Sequence, residues 1–407
     1  MVAVLRQRNF ALLWFAGLIS VTGNWTLNIA LPYYIYQLTS STLAAGLMFM
    51  VRILPGVLFG SFAGVLVDHW NRKWTMVGCN LFATILVLLL LTVKSTQWLW
   101  VVYLVAFVES SVAQLFAPAE RALLPHLVTG NQLVTANSVG ALNVSLGMLI
   151  GPAIGGALID MGSLSGVVIF DSLSYFIAGV MISLINWKRD SEFPKVEITE
   201  VITGWRRIGT DWVSGLKLVK QNHPITIVFV AAAIAMLGEG MIQVLLVPFV
   251  ELLQGGAMEF GWMLTLRALG GLLGGLFFGH LGSALKPQTL FPWTLLGMGV
   301  LLLVMVNCPV FLLSLVFLCV VGVLAVGASV TSTAIFQNEV SDTYLGRTFG
   351  TFGMIAALMT LAGQGFAGAF AEQLGVAVLL NIGGSLYLLS GLISTLIPRI
   401  YGRSNED

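Results

Sequence analysis

The sequence predicts an all-α membrane protein of twelve transmembrane helices in two six-helix pseudo-repeats. Three observations carry that prediction. Hydrophobic residues make up 57% of the chain and charged residues 9%, where a soluble domain carries about 25% charged. Apolar runs of about 20 residues, the length that crosses a bilayer as a helix, recur along the chain in two sets of six. An offset of 215 residues lays landmarks of the first half onto the second.

In order, the runs fall near residues 10–36, 42–67, 74–94, 97–117, 132–160 and 164–187. After a polar break they resume near 225–252, 257–282, 288–307, 309–335, 346–371 and 375–398. The expected organisation is an N-terminal six-helix bundle (1–187), a cytoplasmic linker (188–224) and a C-terminal six-helix bundle (225–407). The first run continues to about Tyr36, too long for the apolar core of a signal peptide, so this span is expected to stay in the mature protein. The linker holds Lys188, Arg189, Lys195, Arg206, Arg207, Lys217 and Lys220. Its part from Gly204 to Lys220 has helical spacing and two tryptophans, as an amphipathic helix on the membrane surface would.

Lysine and arginine concentrate on the cytoplasmic side of membrane proteins. With the N-terminus inside, sixteen of the nineteen are cytoplasmic: Arg6, Arg8, Arg72, Lys73, Arg121, the linker seven, Lys286, Arg347, Arg399 and Arg403. Only Lys94 falls outside, and Arg52 and Arg267 lie within spans. Both termini are therefore expected in the cytoplasm. The 215-residue offset takes Gly23-Asn24 to Gly238-Glu239, Arg52 to Arg267, and Gly60-x-x-x-Gly64 to Gly275-x-x-x-Gly279, while Asp68 maps to Ser283. Parallel six-helix repeats of this kind build one large class of transporters.

Several functions find no support. There is no basic domain or zinc spacing for nucleic acid, no phosphate-binding glycine loop, and no hydrolase signature. His69, His126, His223 and His280 sit scattered at loop edges, so neither a metal nor a cofactor is expected. Cys79, Cys308 and Cys319 lie in apolar runs and read as small core residues.

Ionisable groups inside a span cost about 2.5–3.5 kcal/mol on insertion scales and mark function by default. Arg52, Glu109, Glu239 and Arg267 fall near mid-membrane at about 1.5 Å per residue, and Asp171 lies about two turns from the outer face. Matching depths allow Arg52 to pair with Glu109, and Arg267 with Glu239, as plain structural ion pairs. The functional reading is proton coupling. Burial favours a neutral carboxyl and a nearby arginine favours the charged one, the competition such a site needs. Glu109 and Glu239 are the first candidates and Asp171 the third, unless Asp171 only tethers its helix end with Ser172 and Ser174.

Two motifs add a family resemblance. Gly60 to Lys73 forms a short charged hairpin between the second and third runs. Its order Gly64-x-Leu66-x-Asp68-x-x-x-Arg72-Lys73 resembles the signature loop of the major facilitator superfamily, departing from it at His69 and Asn71. The fifth run holds Gly147-x-x-x-Gly151-Pro152-x-x-Gly155-Gly156. Pro152 removes a backbone donor, and the glycines let a facing helix come close. This is similar to the glycine–proline motif of the superfamily's exporter branch, with Ser138 in place of its upstream glycine. The stretches Ala30–Thr39, Phe116–Pro125, Ala136-Asn-Ser and Asp342-x-x-x-Gly346-Arg347 resemble macrolide-efflux and enterobactin-exporter relatives. The likeness covers nearly the whole chain. Glu109 stands in the fourth span, which lacks the arginine many proton-coupled exporters carry there, so their relay does not carry over unchanged.

The resemblance implies the major facilitator fold and a secondary active exporter, not an enzyme. Its two halves would move a small, partly hydrophobic molecule out of the cytoplasm by alternating access, as a proton antiporter. The first, fourth, seventh and tenth spans would wall the cavity, with Asn24, Trp25, Tyr33, Phe107 and Gln243 as contacts beside the two glutamates. Gly64, Asp68, Arg72 and Lys73 would act as a cytoplasmic latch toward the start of the eleventh span. Gly147, Gly151, Pro152, Gly155 and Gly156 would pack the fifth span on the eighth. The alternatives are a lipid or lysophospholipid flippase of the same fold and a non-transporting sensor. Expected partners are the lipid bilayer, the small molecule and protons, with no nucleic acid, for a monomer in the cell membrane.

Overall fold

A computed structural model describes residues 2–68, 70–129, 132–162, 164–187, 222–281 and 286–398. After one turn at Val2–Leu5, the described residues form twelve helices long and apolar enough to cross a membrane. In the first half these are α1 (Arg8–Thr39), α2 (Thr42–Asp68), α3 (Arg72–Leu88), α4 (Leu99–Leu123), α5 (Leu133–Asp160) and α6 (Leu164–Ser183). The second half holds α7 (His223–Leu252), α8 (Ala257–Leu281), α9 (Pro287–Asn307), α10 (Phe311–Glu339), α11 (Asp342–Leu374) and α12 (Val376–Ser394). The expected surface helix at 204–220 lies outside the described residues.

Helices and apolar runs do not end together. α10 continues to Glu339 and α11 starts at Asp342, several residues beyond the runs read from the sequence. Apolarity marks where a helix meets lipid, whereas the hydrogen-bond ladder continues wherever the backbone stays regular. Membrane placement shows in the side chains too. Trp74, Trp98, Trp100 and Trp293 are exposed near the starts of α3, α4 and α9, the interfacial positions tryptophan favours. Ile85, Leu276 and Leu312 are exposed along the helices, as lipid-facing residues are.

The described residues group into two units. One lies within Met1–Ser40, Met48–Gly204 and Gly256–Thr265, the other within Ser41–Leu47, Trp205–Gly255 and Leu266–Asp407. The first turns of α2 thus belong with the second unit and the first turns of α8 with the first. In the first unit α1 packs on α5 and α6, and α3 packs on α4 and α6. In the second, α7 packs on α11 and α12, and α9 on α10 and α12. The order of partners is the same in both.

Small residues make these crossings, because apolar side chains gain little over lipid and close backbone approach must drive association. A Cβ on Gly151 would sit 2.5 Å from Trp25 Cβ and 2.9 Å from the Thr22 carbonyl oxygen, and one on Gly155 would sit 2.6 Å from that of Thr26. Gly147 likewise meets Val21. These three glycines therefore face α1, not the eighth helix expected from the sequence. Only the next stripe, Pro152 and Gly156, meets the first turns of α8, at Gly261 and Ala257. At 3.6 residues per turn, residues 147, 151 and 155 share a stripe from which 152 and 156 are turned by about 100°. In the second unit the α7–α11 crossing uses Gly240 against Thr360 and Gly363 against Leu237.

The charged hairpin holds the first unit together. Asn71 caps α3 by accepting the Trp74 N–H at 3.2 Å, which accounts for one departure from the superfamily pattern. Arg72 Nη1 donates to the Ala122 carbonyl at the end of α4 (2.9 Å), and Lys73 Nζ to the Ile185 carbonyl just past α6 (2.8 Å). Cations at helix C-termini satisfy carbonyls that have no partner within the helix. The Asp68 side chain and His69 lie outside the described set. Cys308 is exposed at the end of α9 and is no core residue.

Candidate functional site

Among the described residues, each unit holds a polar cluster, buried or part-buried, where its first, second and sixth helices bring long polar side chains together. In the first unit the centre is Glu109 on α4, with its side chain 3% exposed. Its Oε1 accepts from Asn24 Nδ2 on α1 (2.7 Å) and from the Tyr175 hydroxyl on α6 (2.8 Å). Its Oε2 lies 3.4 Å from Arg52 Nη1 on α2. Asn24 ties the group together, donating also to Tyr175 (2.9 Å) and accepting from Asn28 one turn on (2.6 Å).

In the second unit the centre is Glu239 on α7. Arg267 Nη2 on α8 donates to its Oε1 at 2.6 Å, the Tyr387 hydroxyl on α12 to its Oε2 at 2.7 Å, and Gln243 Nε2 to Oε1 at 3.2 Å. Gln243 Oε1 accepts from Gln364 Nε2 on α11 (3.0 Å).

The clusters match position by position. Asn24, Asn28 and Arg52 correspond to Glu239, Gln243 and Arg267 at the 215-residue offset. Tyr175 and Tyr387 hold matching places on α6 and α12. What differs is the helix that supplies the carboxylate, which is the fourth of the first unit and the first of the second. Each part-buried guanidinium is thereby balanced by one carboxylate, since leaving either partner alone in the interior would be costly.

Asp171 stands apart. It is fully buried on α6, one turn before Tyr175. The Ser174 hydroxyl approaches its Oδ1 at 3.4 Å, and its Oδ2 has no hydrogen-bond partner among the described residues. Ser172 instead turns to the Thr84 carbonyl of α3.

The aromatic candidates are not in these clusters. Trp25 packs over Gly151, Phe107 meets Phe59 edge-on at 6.2 Å, and Tyr33 stacks on Phe260 at 6.2 Å. Sequence reasoning missed Tyr175, Tyr387, Asn28 and Gln364. The four-residue spacings Asn24–Asn28 and Asp171–Tyr175 were the available signal, since such pairs share a helix face. Among the described residues no three His, Cys, Asp or Glu side chains could hold a metal ion.

Among the described residues, twelve helices long and apolar enough to cross a membrane, a repeated six-helix packing and one ion pair within the spans of each repeat define a membrane transporter of the major facilitator type. Residues 1–404 match the family described as transmembrane secretion effector, and the chain belongs to that family. The chain is 24% identical to macrolide efflux protein A of Streptococcus pyogenes over 399 residues, 96% of each chain. It is 25% identical over 355 residues to the enterobactin exporter EntS of Escherichia coli O1:K1 / APEC, covering 84% of this chain and 80% of that one. A solved bacterial homologue of the iron transporter ferroportin, in an inward-facing state, superimposes with a TM-score of 0.72 at 17% identity. It covers 95% of this chain and 98% of that one, a likeness of fold alone. The chain is a transporter and not an enzyme.

Proposed function

We propose that the protein is a secondary active exporter of the cell membrane, with both termini cytoplasmic. It moves a small, partly hydrophobic molecule out of the cytoplasm by alternating access of its two six-helix halves, in exchange for protons. The observation that carries this reading is the end-to-end match to relatives named for efflux and export. Three carboxyl groups inside spans, the buried Glu109 and Asp171 and the part-buried Glu239, supply sites where a proton could reside, and no nucleotide-binding motif offers another energy source. A lining drawn from Asn24, Trp25, Tyr33, Phe107 and Gln243, aromatic or polar without charge, would suit molecules of partly hydrophobic character.

Inside-out membrane vesicles provide the test. With the lumen acidified, vesicles containing the protein should load a labelled macrolide, and a protonophore should empty them. Loading that survives the protonophore would remove proton antiport. Failure to load while a labelled lysophospholipid is translocated would replace the exporter with a flippase.

A further inference from the structure

The five ionisable groups named above are not equivalent. Glu109 receives hydrogen bonds from Asn24, Tyr175 and Arg52, and Glu239 from Arg267, Tyr387 and Gln243. Each carboxylate therefore has three donors, one of them a guanidinium. Asp171 is fully buried, and among the described residues nothing hydrogen-bonds its Oδ2. On Oδ1 it has only the Ser174 hydroxyl at 3.4 Å, and that same hydroxyl lies closer, 2.7 Å, to the Asp171 backbone carbonyl. A hydroxyl has one hydrogen, and here the shorter bond takes it.

The surroundings make room for this carboxyl without partnering it. Facing it on α1 is Gly23, where a Cβ would lie 2.6 Å from Asp171 Oδ1. On α3 the neighbouring contact is made by Ser172, not by Asp171. Among the described residues, the charged groups that bear on Asp171 are Glu109 of α4 and Arg52 of α2, opposite in sign, and Tyr175 of its own helix is a further ionisable neighbour. A bare carboxylate oxygen in such an interior needs either a partner or a proton.

We propose that Asp171 is the residue that binds and releases the coupling proton, and that Arg52–Glu109 and Arg267–Glu239 are fixed ion pairs. This rests on the antiport reading above. With a proton on Asp171 the first cluster carries one positive and one negative charge. Release leaves a net negative charge buried, so the proton leaves only when water or a cation reaches the space between α6 and Gly23. The second cluster stays balanced throughout. Proton exchange thereby stays within the first unit, while the second keeps its charge.

The full-length protein in detergent and in liposomes tests this. The infrared spectrum of the wild type should show the C=O band of a protonated carboxyl. Asp171→Asn should abolish it, and Glu109→Gln and Glu239→Gln should not. Because an amide mimics a neutral acid, Asp171→Asn should melt with the wild type. Dicyclohexylcarbodiimide, which adds to protonated carboxyl groups, gives an independent readout that needs no variant. Peptide mapping of the wild type should find it on Asp171 and not on Glu109 or Glu239. No such band in the wild type, a band that persists in Asp171→Asn, or label on either glutamate overturns the assignment. Vesicle loading separates the two readings. Protonophore-sensitive loading that Asp171→Asn retains sinks the coupling role of Asp171. Protonophore-insensitive loading by the wild type sinks antiport, and leaves Asp171 as a bound-proton site.

Discussion

Arg267 and Glu239 are joined by a 2.6 Å hydrogen bond inside two helices, and the value of such a pair lies in what its loss leaves behind. Removing one partner of a fully buried pair costs about 3–5 kcal/mol, because the other charge remains without compensation, and this pair, 22% and 13% exposed, should lie below that range. Glu239→Gln should therefore lower the melting temperature in detergent markedly, and Glu239→Gln with Arg267→Met should recover most of the loss. A double variant as unstable as the single would mean the charge does not balance Arg267. Tyr175→Phe removes both a donor to Glu109 and an acceptor for Asn24, and should cost about 1–3 kcal/mol in the same assay. At this scale the ionisable residues were legible, since a charge in an apolar run stands out and its depth can be counted. The tyrosines were not. A tyrosine is ordinary in a membrane span, and whether its hydroxyl meets Glu109 depends on how α6 is rotated against α1, which no local spacing records.

Helix crossings at the α1–α5 seam leave no space for a β-carbon, and that gives the element scale its sharpest test. Gly151→Leu or Gly155→Leu should fail to yield a folded first unit, because the obstructing atoms include the Thr22 and Thr26 backbone. Gly140→Ala, on the same helix with nothing within 4 Å of the new carbon, should be tolerated and gain up to about 1 kcal/mol of helix propensity. Detergent-resistant expression measured by fluorescence size-exclusion separates the two outcomes. Lys73→Ala should cost up to about 2 kcal/mol by freeing the carbonyl end of α6, read as a lower melting temperature. The sequence showed that the glycine stripe packs, and not against what. Three of its members face α1, because the twist of the helix distributes neighbouring glycines over two partners. Asn71 carries a similar lesson. It looked like a flaw in a family motif, and it is a helix cap.

For the whole molecule, the repeat was readable from three landmarks, yet the exchange of carboxylate between helices was not, because Glu109 has no charged counterpart at the 215-residue offset. Position 24 of the first unit is the place where the second unit carries Glu239. Asn24 Oδ1 already lies 3.4 Å from Arg52 Nη2, and its Nδ2 lies 2.9 Å from the Tyr175 hydroxyl. A glutamate there could engage both groups, as Glu239 engages Arg267 and Tyr387. The carboxylate should therefore be transferable. Glu109→Gln in an Asp171→Asn background leaves Arg52 with no buried acid and should cost about 3–5 kcal/mol. Adding Asn24→Glu restores one carboxylate, on α1 instead of α4, and should raise the melting temperature by more than half of the loss. The background matters, because Asp171 could otherwise supply the missing charge and hide the effect. If the triple variant melts no higher than the double, position 24 cannot take over the balance of Arg52, and the two clusters correspond in sequence register without being interchangeable in charge.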